Sequence, residues 1–264
     1  MKPREILRLF ERESIPLFDI REVLSFLGSS LDRAEIDEKD IEDNRVFAVL
    51  AKLKEGYPVS YLVGHVDLLS LRILLDENVL IPRTETEDFL ADFLSQKDLN
   101  GKRVLDLCTG SGFIALAVKK RYPHADVVAS DISKAALSLA ERSAKLNGLS
   151  VRFVHSDYLD DVDGTFDIIL SNPPYIPLNS PKACAPYEPK LALYSGKDGM
   201  DSYRRIFPKL ISHLSKDGVA YFEIESDNAE KTKKLAQEEI PGVKTEILRD
   251  FDGKERFIRL FFDN

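Results

Sequence analysis

The sequence predicts an α/β fold: a mainly parallel sheet, closed by an antiparallel edge hairpin and preceded by a small helical domain. After Asn100, strand-like and helix-like runs alternate along the chain, which is typical of crossover units with parallel strands. The last two strand-like runs are separated only by the turn Asp250–Gly253, so they are expected to form an antiparallel hairpin. Residues 1 to about 55 show helical apolar spacing and no convincing strand.

The N-terminal part carries three apolar stripes at helical spacing. They comprise Ile6, Leu7, Leu9 and Phe10, then Val23, Leu24, Phe26 and Leu27, then Val46, Phe47, Val49, Leu50 and Leu53. Gly28 and Gly56 mark helix ends, with Pro58 just beyond the second. The carboxylate-rich stretch from Leu31 to Asp43 predicts a solvated helix or loop. We expect a helical domain at residues 1–58, although a plain extension covering the main core is an equally good interpretation.

Residues 59–83 are expected to link this domain to a main domain at residues 84–264. Two apolar runs, 68–75 and 79–81, flank turn-forming residues and predict a β-hairpin inside the linker.

The main domain is predicted to open with a helix. Thr84 and Glu87 have the spacing of a capping box, and an apolar run follows them. The remaining predicted strands are 103–107, 125–130, 151–154, 166–170, 219–224, 243–248 and 256–262, and the remaining helices are 114–121, 134–146, 202–214 and 228–237.

Composition restricts the classes of function. The chain has 264 residues, and its 44% hydrophobic residues are ordinary for a globular protein. Its net charge of −8 argues against sequence-independent binding of nucleic acid, which needs a basic surface. Its two cysteines, Cys108 and Cys184, form no metal-binding pattern, so we expect neither a disulfide framework nor a metal site. No signal peptide or membrane span is apparent, and we expect a cytoplasmic protein that acts as a monomer.

The strand-like run 166–171 ends at Asn172-Pro173-Pro174-Tyr175, which we call the elbow. Neither proline can donate an N–H to a sheet, and both fix φ, so the elbow is rigid. It is expected to hold an amide, two free backbone carbonyls and a phenol ring at the carboxyl end of a strand, where open α/β sheets bind ligands.

A glycine turn, Cys108-Thr109-Gly110-Ser111-Gly112, follows the first strand of the main domain. Its two glycines allow a tight turn and a close approach to a ligand, as at dinucleotide and adenosine-type cofactor sites. Asp131 ends the second strand, where a carboxylate can accept both ribose hydroxyls. Asp106 precedes the turn, where its charge would repel a pyrophosphate but suit an ammonium and a sulfonium group. This favours S-adenosylmethionine over NAD, and a structural carboxylate at a turn or helix N-terminus is the less favoured interpretation of Asp106.

The third strand ends near Asp157 and Tyr158, which by chain order should flank the adenine of such a cofactor. Asp157 can accept the exocyclic amine and Tyr158 can stack on the ring. The two residues could equally be a turn residue and a half-buried ring with no role in binding.

With a methyl donor beside it, the elbow has a chemical purpose. The side-chain oxygen of Asn172 and the carbonyl of Pro173 can each accept one N–H of a substrate –NH₂. The nitrogen lone pair is then aimed at the methyl group, while Tyr175 packs against the flat group that carries the nitrogen. Positioning and electrostatics can supply several kcal/mol of the barrier. A rigid turn that ends a strand is the alternative interpretation.

These segments resemble the HemK/PrmC family of protein-(glutamine N5) methyltransferases, and the match runs over most of the chain. The matching segments are Gly56-Tyr57-Pro58 with Tyr61 and Gly64, residues 80–87, the turn from Asp106 to Gly112, Asp131, the elbow, Tyr187-Glu188-Pro189, Ala192-Leu193, residues 196–199 and Asp250 to Arg256.

The resemblance implies a Rossmann-like class I S-adenosylmethionine-dependent methyltransferase domain, with the product S-adenosylhomocysteine. It implies a substrate glutamine in the Gly-Gly-Gln loop of peptide chain release factors, bound by Asn172 to Tyr175. The cofactor would be held by the glycine turn, Asp131 and Tyr158, and the helical domain would help to dock the release factor.

Three positions depart from the family pattern. Thr84 stands where proline is usual, Cys108 replaces a glycine, and Ser226 lies where a glycine usually follows Glu-Ile.

Three other functions compete with this one. Methylation of an exocyclic amine on a DNA or RNA base would use the same acceptors and stack a flipped base on Tyr175. The acidic charge and the lack of a long basic insert weigh against it. An inactive cofactor-binding adaptor is a second alternative, disfavoured by the intact Asn172 and Tyr175. An NAD oxidoreductase is the least favoured.

Overall fold

The computed structural model describes residues 1–28, 41–180 and 186–263. The chain divides into two compact units, Met1–His65 and Val66–Asn264. Most of the predicted solvated stretch 31–43, and Cys184, lie outside the described residues. No helix in the described ranges is both long and apolar enough to cross a membrane.

The first unit is helical, as predicted. Its helices are α1 (Pro3–Arg12), α2 (Leu17–Phe26), α3 (Asp43–Lys54) and the short α4 (Val59–Val63). The apolar stripes meet in one core that includes Ile6, Phe10, Val23, Leu24 and Val46. Two stripe residues do not join that core: Phe26 and Phe47 remain 43% and 51% exposed.

A hairpin forms in the linker segment, but not between the predicted runs. Strand β1 (His65–Leu68) pairs with β2 (Leu71–Leu74), and residues 79–81 form no strand. The turn residues Leu69 and Ser70 have φ of 45° and 61°, a conformation in which glycine or asparagine is usual, so the sequence held no turn signal there.

The predicted capping box at Thr84 is wrong. Helix α5 (Thr84–Gln96) has Arg83 at its N-cap with no side-chain cap. The Glu87 carboxylate instead accepts the backbone N–H of Leu69 at 3.2 Å. A tertiary contact has replaced the local one.

The main sheet confirms the predicted alternation. Its elements are β3 (Arg103–Leu107), α6 (Phe113–Arg121), β4 (Asp126–Asp131), α7 (Lys134–Leu146), β5 (Arg152–His155), β6 (Phe166–Ser171), α8 (Lys190–Leu193), α9 (Asp201–Leu210), β7 (Leu214–Glu223), α10 (Ala229–Glu239), β8 (Lys244–Arg249) and β9 (Glu255–Phe261). The seven strands follow the order β5-β4-β3-β6-β7-β9-β8, and β9 runs antiparallel to both of its neighbours. The edge hairpin is therefore confirmed.

Strand order places the ligand-binding edge. The chain runs outward from β3 through β4 to β5, then returns to β6 on the other side of β3. Leu107 of β3 pairs in register with Ser130 of β4 and Ser171 of β6. The loops after these three strands therefore leave one edge together at the topological switch point, where open sheets bind ligands.

Candidate active site

A cavity of about 400 Å³ opens at this switch point. Its walls come from the glycine turn, the ends of β4 and β5, the elbow and the segment before α5, all within the second unit. Among the lining residues are Cys108, Thr109, Gly110, Ser111, Asp131, Asp157, Tyr158, Asn172 and Pro174, which the sequence singled out. No three His, Cys, Asp or Glu side chains cluster as a metal site in the described parts of the chain.

The glycine turn depends on positive φ angles. Gly110 and Gly112 have φ of 54° and 86°, and a Cβ built on Gly112 would lie 2.9 Å from the Cβ of Ala140. Gly110 has open space around it, so a ligand can approach its backbone. Cys108, in place of the family glycine, also has a positive φ of 62°. Burial, reinforced by the charges of nearby carboxylates, raises the pKa of its thiol.

Asp106 lies behind the turn and not on the cavity wall. Its fully buried carboxylate accepts the Thr109 hydroxyl and, at 3.0 Å, the backbone N–H of Ala115. The other oxygen, Oδ1, has no hydrogen-bond partner among the described residues. Burial raises the pKa of Asp106 from 3.8 to about 7, against the lowering effect of its two hydrogen bonds.

Asp131 does line the cavity. Its two oxygens accept the backbone N–H groups of Gly110 at 2.9 Å and Ser133 at 2.8 Å. A carboxylate has about four lone-pair sites, so both oxygens can still accept ligand hydroxyls. Burial raises its pKa, and the backbone hydrogen bonds oppose that shift.

Asp157 and Tyr158 meet an arginine that sequence reasoning missed. The Asp157 carboxylate lies 2.7 Å from the Arg205 guanidinium, which also sits 4.9 Å over the Tyr158 ring. The Tyr158 hydroxyl donates to Ser202 at 2.9 Å. One face of the Tyr158 ring is thus already occupied. Arg205 belongs to α9, far along the chain, and no local pattern identifies it.

The elbow is divided between the cavity and the interior. Asn172 and Pro174 line the cavity, Pro173 is buried, and the Tyr175 hydroxyl points away to donate to Glu223 at 3.0 Å. The expectation of two free carbonyls is wrong for Pro174, whose carbonyl accepts the Ser202 hydroxyl at 2.7 Å. For the Pro173 carbonyl, no hydrogen bond is found within the described ranges.

Two buried residues behind the elbow were also missed. The Thr86 hydroxyl donates to Glu223 at 2.7 Å, and the Asn172 amide nitrogen lies 3.5 Å from that hydroxyl. Glu223 is 2% exposed, and burial raises its pKa, while the hydrogen bonds from Thr86 and Tyr175 lower it. An acidic residue within the apolar run 219–224 was the signal that could have identified Glu223.

An ion pair between a partly exposed arginine and a buried carboxylate joins two of the segments that matched the family pattern. Arg83 lies 2.5 Å from Glu188, whose other oxygen accepts the Ile81 N–H at 3.3 Å. The neighbouring residues Pro82 and Pro189 line the cavity. This pair therefore holds together two segments that contribute to the cavity wall.

Comparisons with known proteins agree with this geometry. Residues 85–180 match the family model of the methyltransferase small domain. A release factor glutamine methyltransferase from Lactococcus lactis subsp. lactis is 35% identical over 239 residues, which is 89% of this chain and 87% of the relative. Another from Streptococcus pneumoniae is 33% identical over 272 residues, 98% of both chains. Among solved structures, ribosomal protein L11 methylase from Lactobacillus delbrueckii subsp. bulgaricus has 25% identity and a TM-score of 0.54, covering 73% of this chain and 86% of that one. The predicted methyltransferase-type fold is thereby confirmed.

Proposed function

Because the chain belongs to the release factor glutamine methyltransferase family, we propose that it methylates the side-chain amide nitrogen (N5) of the Gly-Gly-Gln glutamine in peptide chain release factors. The methyl donor is S-adenosylmethionine. The observation that carries this proposal is the placement of the elbow beside the glycine turn, on neighbouring strands joined through Leu107 and Ser171.

The cavity residues fit that donor. Its volume of about 400 Å³ is in the range of small-ligand pockets, about 300 to 1,000 Å³. Gly110 leaves its backbone accessible, and Asp131 keeps lone pairs for ribose hydroxyls. The donor supplies a methyl group on a positively charged sulfur. We assign its binding to the glycine turn (Cys108 to Gly112), Asp106, Asp131, Asp157, Tyr158 and Asn172, with Asp106 acting through its charge from behind the turn.

The elbow residues bind and orient the acceptor amide. Asn172 Oδ1 and the Pro173 carbonyl each accept one N–H, which holds the amide with its nitrogen facing the methyl group. Pro174 and Tyr175 complete the surface against the glutamine. Methyl transfer would form a nitrogen–carbon bond and break the carbon–sulfur bond with its electron pair remaining on sulfur, and the nitrogen would release one proton to solvent. Positioning is the main catalytic contribution of these residues.

We assign docking of the release factor to the helical domain at residues 1–58, with 59–83 as linker and 84–264 as the catalytic domain. The exposed rings of Phe26 and Phe47 are compatible with a docking role, since aromatic residues are enriched at protein–protein interfaces. We further assign the protein to the cytoplasm, because its substrate is a translation factor, and we propose that it acts as a monomer.

The test incubates the protein with labelled S-adenosylmethionine, a purified release factor and total nucleic acid. We expect label in the release factor alone. A release factor with the Gly-Gly-Gln glutamine changed to alanine is the matched control and should take up no label. Label in nucleic acid, or equal label in the control, would overturn the proposal.

A further inference from the structure

We propose that Thr86 and Glu223 are positioning residues that fix which way the Asn172 amide faces, so that its oxygen, and not its –NH₂, meets the substrate. This inference rests on the proposed function, since it concerns the acceptor in that reaction. It assigns a role to two buried polar side chains that do not themselves accept or donate to the substrate.

The contacts define the polarity of a short chain of hydrogen bonds. Glu223 receives an O–H on each carboxylate oxygen, from Thr86 at 2.7 Å and from Tyr175 at 3.0 Å. In both contacts the hydroxyl donates and the carboxylate accepts, which is the arrangement that suits an ionised carboxylate. With both oxygens already receiving a donor, the ionised form satisfies the two contacts at once.

The consequence for Asn172 follows from the single proton of a threonine hydroxyl. Because that proton is committed to Glu223, Thr86 Oγ1 can only accept from any other neighbour. The side of the amide that faces it at 3.5 Å must therefore be the nitrogen. That distance is long for a hydrogen bond, and such contacts in active sites often shorten when substrate binds. Asn172 Oδ1 is left to accept from the substrate.

The reverse orientation would disable the elbow. If the amide turned by half a rotation, its –NH₂ would face the –NH₂ of the substrate, and two donors cannot bond to each other. Removing the Thr86 hydroxyl removes the group that distinguishes the two orientations, while the Asn172 side chain itself remains.

The kinetic test compares two substitutions at one position. Thr86→Val removes the hydroxyl at nearly constant shape and is expected to lower kcat about 10- to 100-fold, with the KM for the methyl donor unchanged. Thr86→Ser keeps the hydroxyl and should stay near wild type. Thr232→Val is the matched control, because Thr232 is also buried but bonds only outside this network, to the Asn228 carbonyl and the Met200 sulfur. Equal loss in the valine and serine variants, or no loss in either, would overturn the proposal.

Glu223→Gln tests whether the two residues act as one unit. A glutamine amide has one oxygen, which accepts, and one nitrogen, which only donates, so it cannot accept from Thr86 and Tyr175 on separate atoms as the carboxylate does. We expect this variant to have a lower kcat. The double variant with Thr86→Val should have a kcat no lower than that of the less active single variant. If the fold losses in kcat of the two single variants instead multiply in the double variant, the two residues act independently, and the proposed joint positioning of Asn172 is excluded.

A measurement without turnover separates this inference from the proposed function. In protein labelled with ¹⁵N at asparagine, the Asn172 side-chain amide signals should shift in Thr86→Val and Glu223→Gln, but not in Thr86→Ser. If the signals stay unshifted in all three variants, the positioning role is overturned even if the wild-type enzyme methylates the release factor. If the signals shift in Thr86→Val and Glu223→Gln but the wild-type enzyme leaves the release factor unlabelled, the positioning role is supported and the proposed function is overturned.

Discussion

The glycine turn and the elbow lie side by side at the switch point, but different kinds of contact hold them. The turn is supported from nearby in the chain: Asp106 receives hydrogen bonds from residues three and nine positions later, and the Gly110 N–H donates to Asp131, 21 positions later. The elbow is supported from far away: Asn172 meets Thr86 across 86 positions, Tyr175 meets Glu223 across 48, and Pro174 meets Ser202 across 28.

This difference separates two tasks. A turn whose supports lie in the two neighbouring strands β3 and β4 and in the helix between them depends only on a short stretch of chain, and we assign it to the methyl donor. An elbow whose supports come from α5, β7 and α9 depends on the assembly of the whole domain. We therefore expect changes in the turn to alter local stability and donor affinity, and changes around the elbow to alter turnover.

The largest expected effect tests the buried charge behind the turn. Because the pKa of Asp106 is raised to about 7, the folded protein holds a proton that the unfolded chain gives up. That stabilisation is fully present below about pH 4 and is lost as the pH rises through about 7. Relative to Asp106→Asn, wild type should lose about 4 kcal/mol of unfolding free energy between about pH 4 and pH 8. Denaturant unfolding at each pH measures it, and a flat difference would contradict it.

Asn172→Ala tests the acceptor role of the elbow. Losing a group that positions the reacting atom should lower kcat about 100- to 1,000-fold, while affinity for the methyl donor stays within a few-fold. In the turn, Gly110→Ala should do the reverse and weaken donor binding about 10-fold, because alanine is strained at its φ of 54°. Calorimetric binding and saturation kinetics separate the two effects. Normal turnover in Asn172→Ala would exclude the proposed amide geometry.

Gly199→Ala tests the distant support of the elbow. A Cβ at Gly199 would lie 2.3 Å from the Tyr175 carbonyl oxygen, with φ at 79°. Gly253 has the same φ but open space, so Gly253→Ala is a matched control that carries only the backbone strain. We expect Gly199→Ala to lower the unfolding free energy by about 2 kcal/mol more than the control does. Equal losses of unfolding free energy in the two variants would show that the elbow backbone can move to accommodate the added Cβ without loss of stability.

The smallest effect concerns Cys108. A non-glycine residue at its φ of 62° is strained, so Cys108→Gly should be more stable than Cys108→Ala by about 1 kcal/mol. Both substitutions remove the sulfur, so their difference isolates the backbone conformation. Thermal unfolding of the two variants checks this, and an alanine variant at least as stable would contradict it.

The sequence predicted the order of strands and helices, the edge hairpin, the glycine turn and the position of the elbow. These features follow from apolar periodicity and from the backbone limits of glycine and proline, which act over a few residues. The hairpin at Leu69 and Ser70 was not predictable in this way, because its turn uses residues that rarely adopt positive φ.

Only the tertiary structure decided which side chains surround the elbow. They come from three separate elements, with Thr86 in α5, Ser202 in α9 and Glu223 in β7, and their partners depend on strand register and helix packing. The same packing turned Glu87 away from its expected cap and placed Asp106 behind the turn instead of on the cavity wall. Local sequence therefore specified the two loops of the site, and long-range packing specified how the second of them is held.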